Sequence, residues 1–542
     1  MIRKLGVYLL TIIAIVSVSN VVCQAQPQSI HTRIILEQPG KPVGHLPAAQ
    51  TMRIVLVLPL RHQTELENFL DQVYDRTSPL FRQFLTVEEF TERFGPSKED
   101  YDALIAFAQA HNLTVVDTSR NRMNLQVTGK VGDIEKALNV TMGTYQHPTE
   151  NRTYYAPDRE PSIDLPFQVW HVAGLDNYYR PYPMYVKKDA THSDVHSLAT
   201  TGSCPSASFC GSDMRAAYYG GTLTGTGQTV GLLEYYGTDL SDLTTYYKNA
   251  KQTEPFTPTL ISTDGTSTSC VDKSGCDDTE QTLDMTQAMG MAPGMTMLYM
   301  YVGSTDSAIL NSMATHSPLN FNLSCSWGWT ADASTDNPYF EEFAAQGQNF
   351  FAASGDSRKW TSTYDAWPAD SAYVVSVGGT DLTTASAGGA WKSETAWTDS
   401  GGGISPSKQA IPSWQTSYIN FSTCTSCSKT YRNGPDVSAN ANFTFYVCAD
   451  QTTCTANSYG GTSFAAPMWA AYMALINQQY QATSKSTKGL GFLNPLIYPL
   501  KGSSTDFHDI TSGTNGYKAT KGYDLSTGWG SPNGSGLITA LE

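Results

Sequence analysis

The chain has 542 residues, more than one hydrophobic core ordinarily organises, so two or more domains are expected. Hydrophobic residues make up 40% and charged residues 15%, which excludes a disordered or collagen-like chain. A formal net charge of −15 repels phosphate backbones and anionic lipid, and excludes nucleic acid as a natural partner.

Met1-Ile2-Arg3-Lys4 is basic, and Leu9 to Val18 is a short apolar run that gives way to polar and small residues before Ala25. This reads as a secretory signal peptide over residues 1–25, and hence as a secreted, extracellular protein. The alternative, a membrane anchor, needs a longer uninterrupted apolar stretch. No other segment has transmembrane length, so no membrane association is expected once the signal is removed.

From about residue 50 to 160, strand-like runs alternate with helical patterns: Met52 to Leu60, Thr64 to Tyr74, Ser97 to His111, Leu113 to Asp117, Met123 to Val127 and Val131 to Leu138. They predict a compact α+β domain, placed at 30–185. Thr64 with Glu67, and Thr86 with Glu89, have the spacing of helix capping boxes. Residues 186–203, with Lys187, Lys188, His192, His196 and many Ser, Thr and Gly, read as an exposed, cleavable linker.

Beyond Cys204 come short buried-strand runs, Val230 to Leu233, Met295 to Tyr301, Asn349 to Ala353 and Val374 to Val377, separated by helical or glycine-rich stretches. They predict a parallel α/β domain over 204–542. Eight of the nine cysteines after Cys23 form close couples: Cys204 with Cys210, Cys270 with Cys276, Cys424 with Cys427, and Cys448 with Cys454. The spacing predicts small disulfide loops in an oxidising compartment, with zinc at Cys424 and Cys427 as the competing reading. Cys325, in an apolar segment, reads as a buried thiol.

Of ten histidines, only His316 and His508 lie in this second half, and neither sits in a context that announces a general base. Ser463 is different. Gly460-Gly461-Thr462-Ser463 precedes the apolar run Met468 to Ile476, so a glycine turn delivers a serine to the start of a helix. That makes Ser463 a candidate nucleophile, although such a turn can also simply cap the helix. The richest carboxylate context is Asp277 to Asp284, where Glu280 and Asp284 are i and i+4 and share one helix face. Two acids so placed raise each other's pKa and share a proton; the alternative is a solvated helix face.

Glu280-x-x-x-Asp284 with Met291-Ala292-Pro293-Gly294, Leu323 to Gly328, Ala353-Ser354-Gly355-Asp356-Ser357 and Gly461-Thr462-Ser463 resemble, in order, the four active-site blocks of the sedolisin family, the serine-carboxyl peptidases. Trp414-Gln415 and Arg432 to Ser438 resemble further signatures, and Ser78 to Leu85 resembles the activation domain of kumamolisin-type pro-enzymes. The resemblance implies a subtilisin-like parallel-sheet catalytic domain behind a smaller, ferredoxin-like α+β prodomain. It implies Ser463 as nucleophile, Glu280 as general base and acid, Asp284 as its partner, and Asp356 as a protonated oxyanion donor. Glu234 and Trp327 would extend the acid network, and Trp327 with Gly328 would border the cleft.

Near the C-terminus, Phe507 to Gly513 and Gly522 to Gly528 resemble the family's calcium loop. One structural Ca2+ would be held by the carboxylates of Asp509 and Asp524 and the carbonyls of Ile510, Thr520 and Gly522. Thr520 stands where relatives usually carry glycine, and the alternative is a pair of Asx turns without metal. The whole reads as a monomeric, secreted, acid-active, self-processing endopeptidase acting on protein or peptide substrates and inhibited by its own prodomain. The alternative reading is a catalytically inactive, peptide-binding relative.

Overall fold

The structure, a computed structural model, describes residues 28–30, 40–188, 201–271, 276–364, 366–451 and 454–542. The expected signal peptide and residues 189–200 of the expected linker, with His192 and His196, lie outside the described residues.

The N-terminal unit runs β1 (Thr51–Val57), α1 (Gln63–Tyr74), α2 (Val87–Arg93), α3 (Lys98–Ala110), β2 (Thr114–Thr118), β3 (Asn124–Lys130), α4 (Val131–Leu138) and β4 (His171–Ala173). Its antiparallel sheet has the order β2-β3-β1-β4, the ferredoxin-like arrangement. Strand alternation explains why β1 is apolar on both faces. Met52, Ile54 and Leu56 meet α3 and α4 in the unit's own core, while Val55 and Val57 pack with Ala308 of the second unit.

Helix α1 buries Leu66, Phe69, Leu70 and Val73, a stripe at helical spacing, in the core of the second unit. Thr86 caps α2 with the full box, Glu89 answering its backbone N–H. The box expected at Thr64 does not form: α1 already begins at Gln63, after His62 in the left-handed region (φ 56°), so Thr64 sits inside the first turn.

In the second unit the chain continues through β5 (Tyr182–Pro183), β6 (Val186–Lys187), β7 (Thr229–Glu234), β8 (Thr259–Ser262), α5 (Thr279–Met291), β9 (Met297–Val302), α6 (Asp306–Thr315) and β10 (Asn322–Cys325). There follow β11 (Trp327–Gly328), α7 (Ala333–Gln346), β12 (Asn349–Ala353), β13 (Val375–Thr384), β14 (Trp391–Ala396), β15 (Val437–Asn440), β16 (Tyr459–Gly460) and α8 (Ala465–Ser484). The main sheet has eight strands in the order β8-β9-β7-β10-β12-β13-β14, with β15 also on β13. All pairs are parallel except β13 with β14. Parallel strands are covered on both faces, which is why β10, β12 and β15 are buried at every position.

Helices α5 and α8 pack against each other beside the sheet. Apolar residues surround α8 over its first three turns, the signature of a helix with no solvent face. All four cysteine couples are disulfides, which leaves Cys424 and Cys427 no thiolate for zinc; Cys325 is a buried free thiol. Among the described residues no helix is long and apolar enough to cross a membrane.

Candidate active site

The first turn of α5 and the approach to α8 face each other, and this brings Glu280, Asp284 and Ser463 together. Helix α5 is buried almost throughout despite its polar sequence, so Glu280 and Asp284 have no solvent face to occupy. Glu234, at the end of β7, is equally buried and joins them. Ser326 Oγ donates to Asp284 Oδ1 at 2.8 Å, and Trp327 Nε1 donates to Glu234 Oε2 at 2.9 Å. Neither oxygen of Glu280 completes a hydrogen bond within the described residues, although Ser463 lies near enough to favour its charged form.

Burial raises all three carboxyl pKa values well above the ordinary range. The charge of Asp284 adds to this at both Glu280 and Glu234, and Glu234 itself adds at Glu280. Hydrogen bonds from Ser326 and Trp327 oppose the rise at Asp284 and Glu234. Three dry acids without a cation cannot all ionise, so the cluster holds protons at neutrality.

Asp356 follows β12. Its Oδ1 accepts from Thr462 N–H at 2.8 Å and Thr462 Oγ1 at 2.9 Å, while Oδ2 is buried without a partner. Burial raises this carboxyl well above the ordinary range, against the two bonds from Thr462. Gly461 has φ +147°, and a Cβ there would stand 2.7 Å from Asp356 Oδ2, so only glycine lets the backbone pass.

The cleft in front of Ser463 is filled by the chain's own residues 182–188. β5 pairs antiparallel with β11 and β6 with β16. Trp327 and Gly328 therefore border the cleft, opposite Pro183 and Tyr182. The ends of the expected linker are held: Val186–Lys187 is strand, and Ser203 N–H donates to Asp213. His316 instead packs on Tyr299 and Tyr301, and His508 stacks on Trp391 at 3.9 Å, so neither serves Ser463. Arg432 forms a fully buried pair with Asp436 at 2.7 Å, and Gln415 bonds Asn433, which makes those signatures structural.

Asp509 and Asp524 belong to one loop region: Gly522 N–H donates to Asp509 Oδ2 at 3.0 Å and Thr520 N–H to Asp524 Oδ2 at 2.8 Å. Asp524 is buried, which pushes its carboxyl up to about 7, and Asp509 is raised by burial as well. Two carboxylates desolvated in this way suit a hard dication. Among the described residues no three His, Cys, Asp or Glu side chains converge as a metal cluster; the expected set uses backbone carbonyls instead.

Sequence reasoning did not single out Thr462, Ser326 or residues 182–185. The first two lie inside the motif blocks, but neither block contains a carboxylate, and only the fold brings Thr462 to Asp356 and Ser326 to Asp284. Nothing in Tyr182-Pro183-Met184-Tyr185 marks it as a cleft occupant.

A parallel sheet of this order, with a serine at the start of a buried helix facing a second helix beside it, defines the subtilisin-like α/β class behind a ferredoxin-like prodomain. Residues 40–178 match the pro-kumamolisin activation domain and residues 271–530 the subtilase family. Kumamolisin of Bacillus sp. (strain MN-32) is 30% identical over 531 residues, covering 92% of this chain and 93% of that protein. Sedolisin of Pseudomonas sp. (strain 101) is 28% identical over 547 residues, covering 92% of this chain and 87% of the relative. Among solved structures, Pseudomonas sedolisin, a serine-carboxyl proteinase complexed with two molecules of pseudo-iodotyrostatin, superposes with a TM-score of 0.50 at 26% identity, covering 61% of this chain and 97% of that one. The chain belongs to the sedolisin family of peptidases and carries that family's activation domain.

Proposed function

We propose that the protein is a secreted, acid-active serine-type endopeptidase that processes its own precursor, with Ser463, Glu280 and Asp284 as its triad and Asp356 as oxyanion donor. The observation that carries this is the meeting of four buried, polar side chains around the one cleft that the N-terminal unit's tail fills. Ser463 Oγ attacks the scissile carbonyl while Glu280 takes its proton, and Glu280 then returns it to the leaving amine. Asp284 orients Glu280 and is itself held by Ser326. A protonated Asp356 donates from Oδ2 to the developing oxyanion, beside the Ser463 N–H. The Glu280–Asp284 couple shares a proton, so Glu280 is the ionised base while Asp284 holds it. Burial keeps Asp356 protonated, and this donor form, lost as pH rises, is what favours activity in acid.

Residues 1–25 act as signal peptide, 30–185 as inhibitory prodomain, 186–203 as the linker and 204–542 as the catalytic domain. Asp509, Asp524 and the carbonyls of Ile510, Thr520 and Gly522 would hold one Ca2+, and its charge would offset the two desolvated carboxylates. The purified precursor is acidified with and without Ser463→Ala and Glu280→Gln. Wild type is expected to shorten and to hydrolyse peptides below about pH 5, near where carboxyls titrate, and both variants are expected to remain full length and inactive. Efficient self-processing by either variant would refute the triad.

A further inference from the structure

The strand that fills the cleft is placed as a substrate, not only as a plug. Met184 N–H donates to Ser326 O at 2.8 Å, and the Met184 carbonyl accepts from Ser463 N–H at 3.1 Å. On one side Tyr182 and Pro183 pair with Gly328 and Trp327; on the other Val186 and Lys187 pair with Gly460 and Tyr459. Lys188 N–H continues the ladder to Ser458 O at 2.8 Å. The backbone is thus clamped on both sides of a single peptide bond. A Cβ on Gly461 would stand 2.5 Å from the Met184 carbonyl oxygen and 2.7 Å from Asp356 Oδ2, so carbonyl and acid share one small space.

The side chains on either side of that bond are also received. Met184 is 2% exposed, and its Cε lies 2.5 Å from where a Cβ on Gly328 would be, so glycine at 328 makes room for a long unbranched side chain. Tyr185 stands edge-on to Tyr459 at 5.7 Å and donates its hydroxyl to Asp277 Oδ2 at 3.2 Å. Resting on the assignment of Ser463 as nucleophile, we propose that the Met184–Tyr185 bond is the enzyme's first substrate. The site thereby selects an unbranched apolar residue on the acyl side and a hydroxylated aromatic on the amine side.

The step balances as ordinary acyl transfer. Ser463 Oγ bonds to the Met184 carbonyl carbon as its proton passes to Glu280, and the C–N bond then breaks as Glu280 protonates the Tyr185 nitrogen. Water displaces Ser463, leaving a carboxylate on Met184 and a new N-terminus at Tyr185. This cut lies just before the linker at 186–203, so any N-terminus near Cys204 is a product of later trimming.

Purified precursor is acidified, quenched at short intervals, and its new N-termini are identified by labelling and intact mass. The earliest is expected to be Tyr185, with none in Ser463→Ala. An earliest N-terminus elsewhere with Ser463→Ala silent overturns the bond assignment and leaves the nucleophile standing. Cutting in Ser463→Ala overturns both. Because a variant at 184 can disturb docking, the octapeptide with the sequence of residues 181–188 is also offered to processed enzyme. It is expected to break between Met and Tyr, with kcat/KM at least about tenfold above the same peptide carrying Asp for Met, the scale on which an apolar pocket discriminates. Cleavage at another bond, or equal turnover of both peptides, overturns the proposal.

Discussion

The two oxygens of Asp356 do different work. Oδ1 is saturated by the backbone and hydroxyl of Thr462, which fixes the carboxyl plane, whereas Oδ2 is dry and unpartnered beside the Met184 carbonyl. Such an oxygen serves a developing oxyanion only as O–H, and burial supplies the proton by raising the pKa. The donor form exists below that raised pKa and is lost as pH rises through it. Asparagine offers a neutral N–H in the same place at every pH. Asp356→Asn is therefore expected to outperform Asp356→Ala, which loses about 10²–10³ in kcat, and to extend activity toward higher pH than wild type. Profiles of kcat against pH for the three proteins check this; an Asn variant no better than Ala would remove Asp356 from the oxyanion site.

At the scale of elements, α7 is where the two units read each other. Gln63 Nε2 of α1 donates to both oxygens of Glu341 at 3.1 Å, and Asn121 Nδ2 donates to Glu342 Oε2 at 2.7 Å. Burial pushes Glu341 up to about 7, with the Glu67 charge adding and Gln63 opposing. Burial pushes Glu342 up to about 8, against Asn121 and the nearby Arg120. Carboxyls raised by docking take up protons on docking, so this contact is strongest below the free carboxyl range and weakens as pH rises through 7 to 8. In the Ser463→Ala precursor, Glu341→Gln with Glu342→Gln should gain several degrees in melting temperature over the parent at pH 8 and little at pH 5. An equal shift at both pH values would show that these carboxyls stay neutral throughout.

These elements also show what the sequence could and could not reveal. Val131–Leu138 and Asn349–Ala353 have the bounds their patterns predict, because a strong apolar period and local turns decide them. The strands Thr259–Ser262 and Val437–Asn440 went unseen, since a short polar-containing run becomes a strand only through its neighbours. The failed box at Thr64 is a shift of boundary: the spacing was right, but the helix begins at Gln63 after His62 in the left-handed region, so Thr64 is already inside it. The convergence of Glu280, Asp284, Asp356 and Ser463 was legible because the motifs that carry them are contiguous blocks. Their meeting with Met184 was not, because it joins residues far apart in the chain through backbone pairing alone.

Across the whole molecule, docking and blockage are separate. The N-terminal unit docks through β1, α1 and α2 onto α6 and α7, whereas the cleft is blocked by residues 182–188, which run on from that unit. The α7 carboxyls give acid no push toward release of the unit, so on the proposed mechanism latency is relieved by a broken bond in the blocking strand. That strand is covalently joined to the domain it blocks and already lies against Ser463, so its own site meets it at an effective concentration no other molecule can match. Cutting is therefore expected in cis. After a jump from neutral to acidic pH, peptide hydrolysis should begin only after a lag that matches the disappearance of full-length chain, with a first-order rate constant that does not change with precursor concentration. A lag that shortens in proportion to precursor concentration, or that seeding with processed enzyme abolishes, would mean that one molecule opens another and that the strand seen in the cleft is released before it is cut.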